Sequence, residues 1–234
     1  MMRQFGAIQC KRFIYLCSRQ HVIKSCCPHI LELEVQKNGS TAVVTIKVFD
    51  SELDKHFLVE LDMRQLADGT WQITRINNLQ TLISERDQAF QNKLAELNKP
   101  VQKQIDDAIT VTPQKIFITS APYSGVIRLL QADLQLTNNA AKELQYFTGV
   151  LELYNADNEL FYSGNFASSK KLAAAQTQAY QFNWELNPFL TDDAKVMNSD
   201  FSKVTWKASL SSLTFADGST IELLTQLPVK TKTK

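Results

Sequence analysis

From Val126 to Gly164 the side chains alternate in kind. Leu130, Ala132, Leu134 and Leu136 are apolar, and Gln131, Asp133, Gln135 and Thr137 fill the places between them. A period of two sends one set to a buried face and the other to water, which predicts a β-strand. Thr137-Asn138-Asn139 breaks the run, and Asn tolerates the left-handed turn region. Phe147, Val150, Leu151, Leu153 and Tyr154 predict a second strand, and Ala156-Asp157-Asn158-Glu159 a polar turn. Leu160, Phe161 and Tyr162 open a third strand, which Ser163-Gly164 is expected to stop. Short strands joined by short polar turns predict antiparallel neighbours.

The same alternation recurs upstream. Leu31, Leu33 and Val35 interleave with Glu32, Glu34 and Gln36, and Asn38-Gly39 is a strong two-residue hairpin signal. Ala42, Val44, Ile46 and Val48 alternate in the next strand, and Phe57, Val59 and Leu61 in the third. Asp68-Gly69 turns the chain into Trp71, Ile73 and Ile76. Leu31 to Leu79 thus predicts a four-stranded antiparallel meander. Its one apolar face needs a cover, and the expected cover is a helix.

After Leu79 the period changes. Ile83, Phe90, Leu94, Leu97, Val101, Ile105 and Ala108 recur at steps of seven, four and three, the apolar stripe of an amphipathic helix. Pro100 lacks a backbone donor, so the sequence predicts a break or kink at Asn98-Lys99 and a second helix beginning at Pro100. Packing of this connector on the first sheet is the simpler use of the stripe. A coiled-coil dimer is the alternative. Adjacent Asp106 and Asp107 point about 100° apart on a helix and do not converge as a catalytic pair.

Beyond the connector, Ile116, Phe117 and Ile118 read as a short strand between Thr112-Pro113 and Ala121-Pro122. Thr177 to Leu186 gives another, and Asn187-Pro188 through Ser199 reads as a long loop. Val204, Trp206, Ala208, Leu210 and Leu213 predict a strand with a bulge, and Asp217-Gly218 turns it into Ile221, Leu223 and Leu224. Seven strands in this length suit a sandwich of two sheets.

The residues Leu134, Leu136, Thr137, Asn138, Phe147, Gly149, Leu151, Leu153, Tyr154 and Phe161 carry a resemblance. An alternating strand ending in Thr-Asn, followed by aromatic-Thr-Gly-x-Leu-x-Leu-Tyr and another aromatic strand, resembles the LEA14/FxLYD-type immunoglobulin-like β-sandwich domains of bacterial envelope proteins. It covers Lys115 to Leu227, about half the chain. The resemblance implies a binding or structural module and supplies no catalytic residue. Residues 31–79, with Asp-Gly-x-Trp and Ile-x-x-Ile, resemble the terminal strands of a cystatin/NTF2-like α+β domain. In those folds the helices come first in sequence, and here none precedes the strands.

Composition sharpens this picture in one place. A net charge of +1 over 234 residues lacks the basic excess of a nucleic-acid-binding body. Yet all four cysteines (Cys10, Cys17, Cys26, Cys27) and two of the three histidines (His21, His29) lie within residues 1–30. That segment also holds Arg3, Lys11, Arg12, Arg19 and Lys24 and no acid. A metal or thiol site is one reading, although no Cys-x-x-Cys pair is present. A targeting peptide is another. The third is an anomalous, disordered segment whose foreign composition marks a misplaced start, with a membrane anchor or export signal missing. The Cys/His spacings leave the metal ligands unknown. The basic tail from Val229 to Lys234 reads as disordered.

Elsewhere the chemistry is sparse. There is no GxxxxGK or GxGxxG phosphate loop, no HExxH and no GxSxG elbow. His56 is the one histidine beyond residue 30, and no nucleophile is tied to it by spacing. Asp192, Asp193 and Asp200 lack the alternation of a calcium loop. Tyr146, Tyr154, Tyr162 and Tyr180 are candidates for a ligand face or for ordinary packing. Asn38-Gly39-Ser40 is a glycosylation sequon read here as a turn.

The expectations are these. The fold is mainly β (α+β overall), with an anomalous segment 1–30, a sheet unit 31–80, a kinked helical connector 81–111, an immunoglobulin-like β-sandwich 112–228 and a tail 229–234. The function is that of a non-enzymatic protein-interaction or structural module of the bacterial cell envelope, on the periplasmic side and soluble as written. The expected partner is a protein or a second copy, with no catalytic residue, cofactor or nucleic acid. The alternative is a metal- or thiol-dependent regulator built on the N-terminal Cys/His cluster.

Overall fold

A computed structural model describes residues 30–121 and 127–228, with side chains from residue 34 onward. The N-terminal Cys/His cluster, Pro122 and the basic tail lie outside the described residues. The described residues are mostly β, with antiparallel sheets and two helices. They divide into two compact units, one ending at Phe90 and the other beginning at Gln91.

The first unit is the predicted meander. Strands β1 (Ile30–Asn38), β2 (Thr41–Asp50), β3 (Lys55–Gln65) and β4 (Trp71–Ile76) pair in sequence order. Gly39 and Gly69 hold positive φ at the two turns that Asn-Gly and Asp-Gly announced. Ala42 and Val44 on β2 face Met63 and Leu61 on β3, and these four form a small buried cluster. Among the described residues, helix positions 79–90 contribute nothing to that cluster.

Asn78 joins sheet to helix. Its side-chain carbonyl accepts from the Glu60 N–H at 3.0 Å, and its amide donates to the Leu58 carbonyl at 2.9 Å. The amide group thus pairs with β3 as a further strand residue would. Its own backbone carbonyl accepts from the Leu82 N–H, opening helix α1 (Leu79–Ala108).

Helix α1 corrects the expected break. It runs as one element through Pro100. A proline costs the helix one bond and some steric strain, about 3 kcal/mol. Full burial of Ile105 in the second unit's core, worth about 1.5–3 kcal/mol, opposes that cost, and partly buried Val101 and Ala108 add to it. The carboxyl-terminal half of the stripe therefore serves the second unit. Asp106 accepts from Gln102, and Asp107 pairs with Lys103, so both acids occupy solvated helix faces.

The second unit holds two sheets. Strands β5 (Ile109–Ser120), β6 (Arg128–Asn138) and, later, β9 (Thr177–Leu186) form one, in the order β5-β6-β9. The other has the order β11-β10-β7-β8, with β7 (Leu144–Tyr154), β8 (Leu160–Ser168), β10 (Thr205–Phe215) and β11 (Thr220–Glu222). All neighbours are antiparallel. Leu130, Leu134, Leu136, Phe147, Leu151 and Leu213 belong to a single buried core drawn from both sheets.

Three expectations change here. Strand β5 is far longer than Ile116–Ile118, because Pro113 sits beside a register shift on an edge strand, where its missing N–H is tolerated. Strand β8 runs through Gly164 instead of stopping there. A Cβ on Gly164 would lie 2.8 Å from the Trp184 ring nitrogen, so the glycine makes room for that ring. The loop expected from Asn187 to Ser199 contains a short helix, α2 (Thr191–Met197).

Two polar or steric details set the register. Asn138 is fully buried, and its side-chain amide donates to the carbonyls of Lys142 (2.8 Å), Leu172 (3.0 Å) and Ala173 (3.2 Å). Its side-chain carbonyl accepts from the Ala140 N–H at 3.0 Å. Gly149 lies opposite the β10 bulge, where a Cβ would sit 2.3 Å from the Phe166 ring and 2.5 Å from the Ser209 carbonyl oxygen.

Replacing Asn138 with Ala removes its side-chain hydrogen bonds to the Lys142, Leu172 and Ala173 carbonyls and to the Ala140 N–H, and we expect a loss of about 3 kcal/mol in urea unfolding. A loss under about 1 kcal/mol would show that water or relaxation satisfies those groups. Gly149→Ala meets both a ring and a backbone carbonyl. It should lose about 3 kcal/mol in the same assay, at the upper end of overpacking costs. Wild-type stability in that variant would mean the strands part easily there.

Candidate functional site

The site builds up from the residues around α2. Asn187 N–H donates to the Asp193 carboxylate at 2.8 Å, and the Asn187 side chain accepts from the Phe189 N–H at 3.0 Å. Leu190 N–H donates to the Asn187 carbonyl at 3.0 Å. Pro188 fixes one further backbone angle. The turn is therefore held by side chains at both ends. It presents Phe189 at 92% exposure and Leu190 at 55%.

Helix α2 is anchored by Val196, which is fully buried in the core of the second unit. Its exit is closed by the Asn198 side chain on the Ala194 carbonyl (2.7 Å) and the Ser199 hydroxyl on the Lys195 carbonyl (2.7 Å). Asp200 then accepts from the backbone and hydroxyl of Ser202, which hold its carboxyl below the usual range.

An open depression of about 360 Å³ follows α2. Phe161, Ala156 and Val204 give it apolar walls, and Lys195, Lys203 and Asn155 are among its polar lining. The Asn155 side chain is occupied by the backbone of Asp157 and Glu159 and is not aimed outward as a reactant. Lys195 pairs with Asp192 at 3.0 Å, and Lys203 lies 3.7 Å from Asp200. Hydroxyls and carboxylates here are committed to structure. The arrangement suits binding of an apolar group beside two amines.

The candidate residues from sequence fall in different places. Tyr146 and Tyr154 take the outward positions of β7, and the Tyr154 hydroxyl donates to Glu152 at 2.8 Å. Tyr162 and Tyr180 turn toward the core, with the Tyr180 hydroxyl on the Lys170 carbonyl at 3.1 Å. The four do not form one ligand face. Asp192, Asp193 and Asp200 are each engaged separately, and the described residues contain no metal-type cluster. His56 is exposed in β3, beside the Phe49 ring at 4.9 Å. The Cys/His cluster lies outside the described residues.

Sequence reading missed Phe189 and α2. The signal for α2 was present in Thr191-Asp192-Asp193 followed by Lys195, acids first and base last. Seven residues are too few for a helical period to stand out.

No family model matches the chain, and no curated protein matches it. Among solved structures it is similar to a crystal structure of a protein provisionally named ApaA from Bordetella pertussis. The identity is 12%, over 49% of this chain and 85% of that one, with a TM-score of 0.28. A likeness at that level carries no argument. No helix among the described residues is long and apolar enough to cross a membrane.

Tyr162 gives a pH test of the packing beneath α2. Burial first, and the Asp193 charge second, raise its phenol from 10.0 to about 12. A raised value means the stabilisation is complete below about pH 10 and is lost as pH passes through about 12. Tm measured against pH should show wild type losing stability relative to Tyr162→Phe across that window. A constant gap between the two would mean that Tyr162 titrates like a free phenol.

Proposed function

We propose that this chain is a non-enzymatic interaction protein of the bacterial cell envelope. Its second unit is read as an immunoglobulin-like β-sandwich that presents a protein-binding end around α2. The observation that carries the binding reading is Phe189, an aromatic side chain 92% exposed on a turn held by its own hydrogen bonds. Large apolar groups on a stiff, exposed turn lose little conformational entropy on docking, which favours affinity. Support for the sandwich comes from the shared core, where Phe147 on one sheet meets Tyr180 on the other edge-on at 5.2 Å. The envelope placement rests on the resemblance of residues 115–227 alone.

The test is a photo-crosslinking residue at position 189 of the full chain, expressed in its source cells. The reading expects adducts of defined mass from position 189 and none from Asn183, on the outward side of β9. Equal, diffuse labelling at both positions would overturn it. So would turnover of any substrate by the purified full chain in a broad activity screen.

A further inference from the structure

The Asn187–Leu190 turn leads into α2, and the depression is walled by residues that leave it. We propose that a second copy of this chain docks on this end across a two-fold axis. Phe189 of each copy seats in the depression of the other. The inference rests on the interaction-module reading above and names its partner.

Size fits first. A cavity of about 150 Å³ holds a benzene ring. The depression measures about 360 Å³, which leaves room for the Phe189 ring and part of Leu190. Its walls of Phe161, Ala156 and Val204 match the apolar character of the incoming pair.

Area decides between one-way and reciprocal docking. A seated aromatic removes about 150–250 Å² of its own surface from water, and the wall it covers loses a similar amount. A single insertion therefore stays below the roughly 800 Å² of adventitious contacts. Two reciprocal insertions, with Leu190 and the flanking helix, reach roughly 1,000 Å², the lower bound of a specific interface. The two-fold arrangement is the one with enough contact to be selective, and it is weak.

Charge supports the same geometry. If the residue before α2 reaches the hollow after α2 of the other copy, the two α2 helices run antiparallel. Asp192 and Asp193 occupy the first turn, while two amines, Lys195 and Lys203, and one carboxylate, Asp200, border the hollow. Antiparallel pairing sets the acids of one copy against the amines of the other. The Asp192–Lys195 pair within one chain is solvent-exposed on both sides, so exchanging it across the axis costs little.

Sedimentation of the full chain from about 1 to 300 μM tests this. Wild type should show a concentration-dependent monomer–dimer equilibrium. Phe189→Ala should weaken it at least about tenfold with no change in Tm, since an exposed hot-spot residue carries binding and not folding. Lys203→Glu should weaken it too, and Asp192→Lys with Lys203→Glu should recover most of the loss, because opposed charges are exchanged together. A wild type that stays monomeric at the top of that range overturns the proposal. So does a Phe189→Ala variant that dimerises normally. In either case, position-189 adducts with a different protein would leave the module reading standing, and their absence would remove both.

Discussion

The second unit depends on one buried amide. A hydrophobic core rewards any arrangement that removes apolar area from water, so by itself it does not choose among registers. Asn138 does choose. Its side chain gathers carbonyls from the β6–β7 turn and from the segment before β9, and it has no water to turn to if they shift. Its backbone N–H adds the Gln176 carbonyl. The next residue, Asn139, gives its N–H to the Ala108 carbonyl at the end of α1, and its side-chain amide to Thr110 at 2.9 Å. Two consecutive asparagines thus fix where a helix ends, where β5 begins and where β9 enters.

Steric exclusion works beside that polar constraint. The aromatic side chains of Phe147, Phe166, Tyr180, Phe182 and Trp184 touch in a continuous row. Gly149 and Gly164 are the places where the backbone yields to them. Trp184 also donates its ring N–H to the Asn165 carbonyl at 2.8 Å, which ties β9 to β8. The row therefore carries direction as well as area.

How much of this could be read from the chain follows from which signals are local. The period of two in Leu130–Leu136 and in Ala42–Val48 is local, and the strands stand where it put them. Gly39, Gly69 and Gly218 were legible because a positive φ is a property of the turn alone. Pro100 misled because the local rule names a cost without knowing what opposes it, and the burial of Ile105 is tertiary. Gly164 misled because its reason lies in Trp184, on another strand. The Asn138 side-chain bonds were invisible for the same reason, since Leu172 and Ala173 lie far along the chain. Phe189 could not be told from a core aromatic. A four-residue turn has no period, and so no phase, that would say which way its side chain points.

The strand order has a consequence for synthesis. In the first unit every strand pairs with the one made just before it, so each hairpin can close as it leaves the ribosome. The second unit cannot work that way. β6 needs β9 and β7 needs β10, and both partners are translated only after β8. Until then β6 and β7 each keep one edge unpaired, and the core around Leu130, Leu134, Leu151 and Leu153 is closed by only part of each sheet. The nascent chain therefore carries its most adhesive surface longest in the half that holds the larger core. That interval, more than the stability of the finished protein, is when it is most exposed to misassembly and in greatest need of a chaperone.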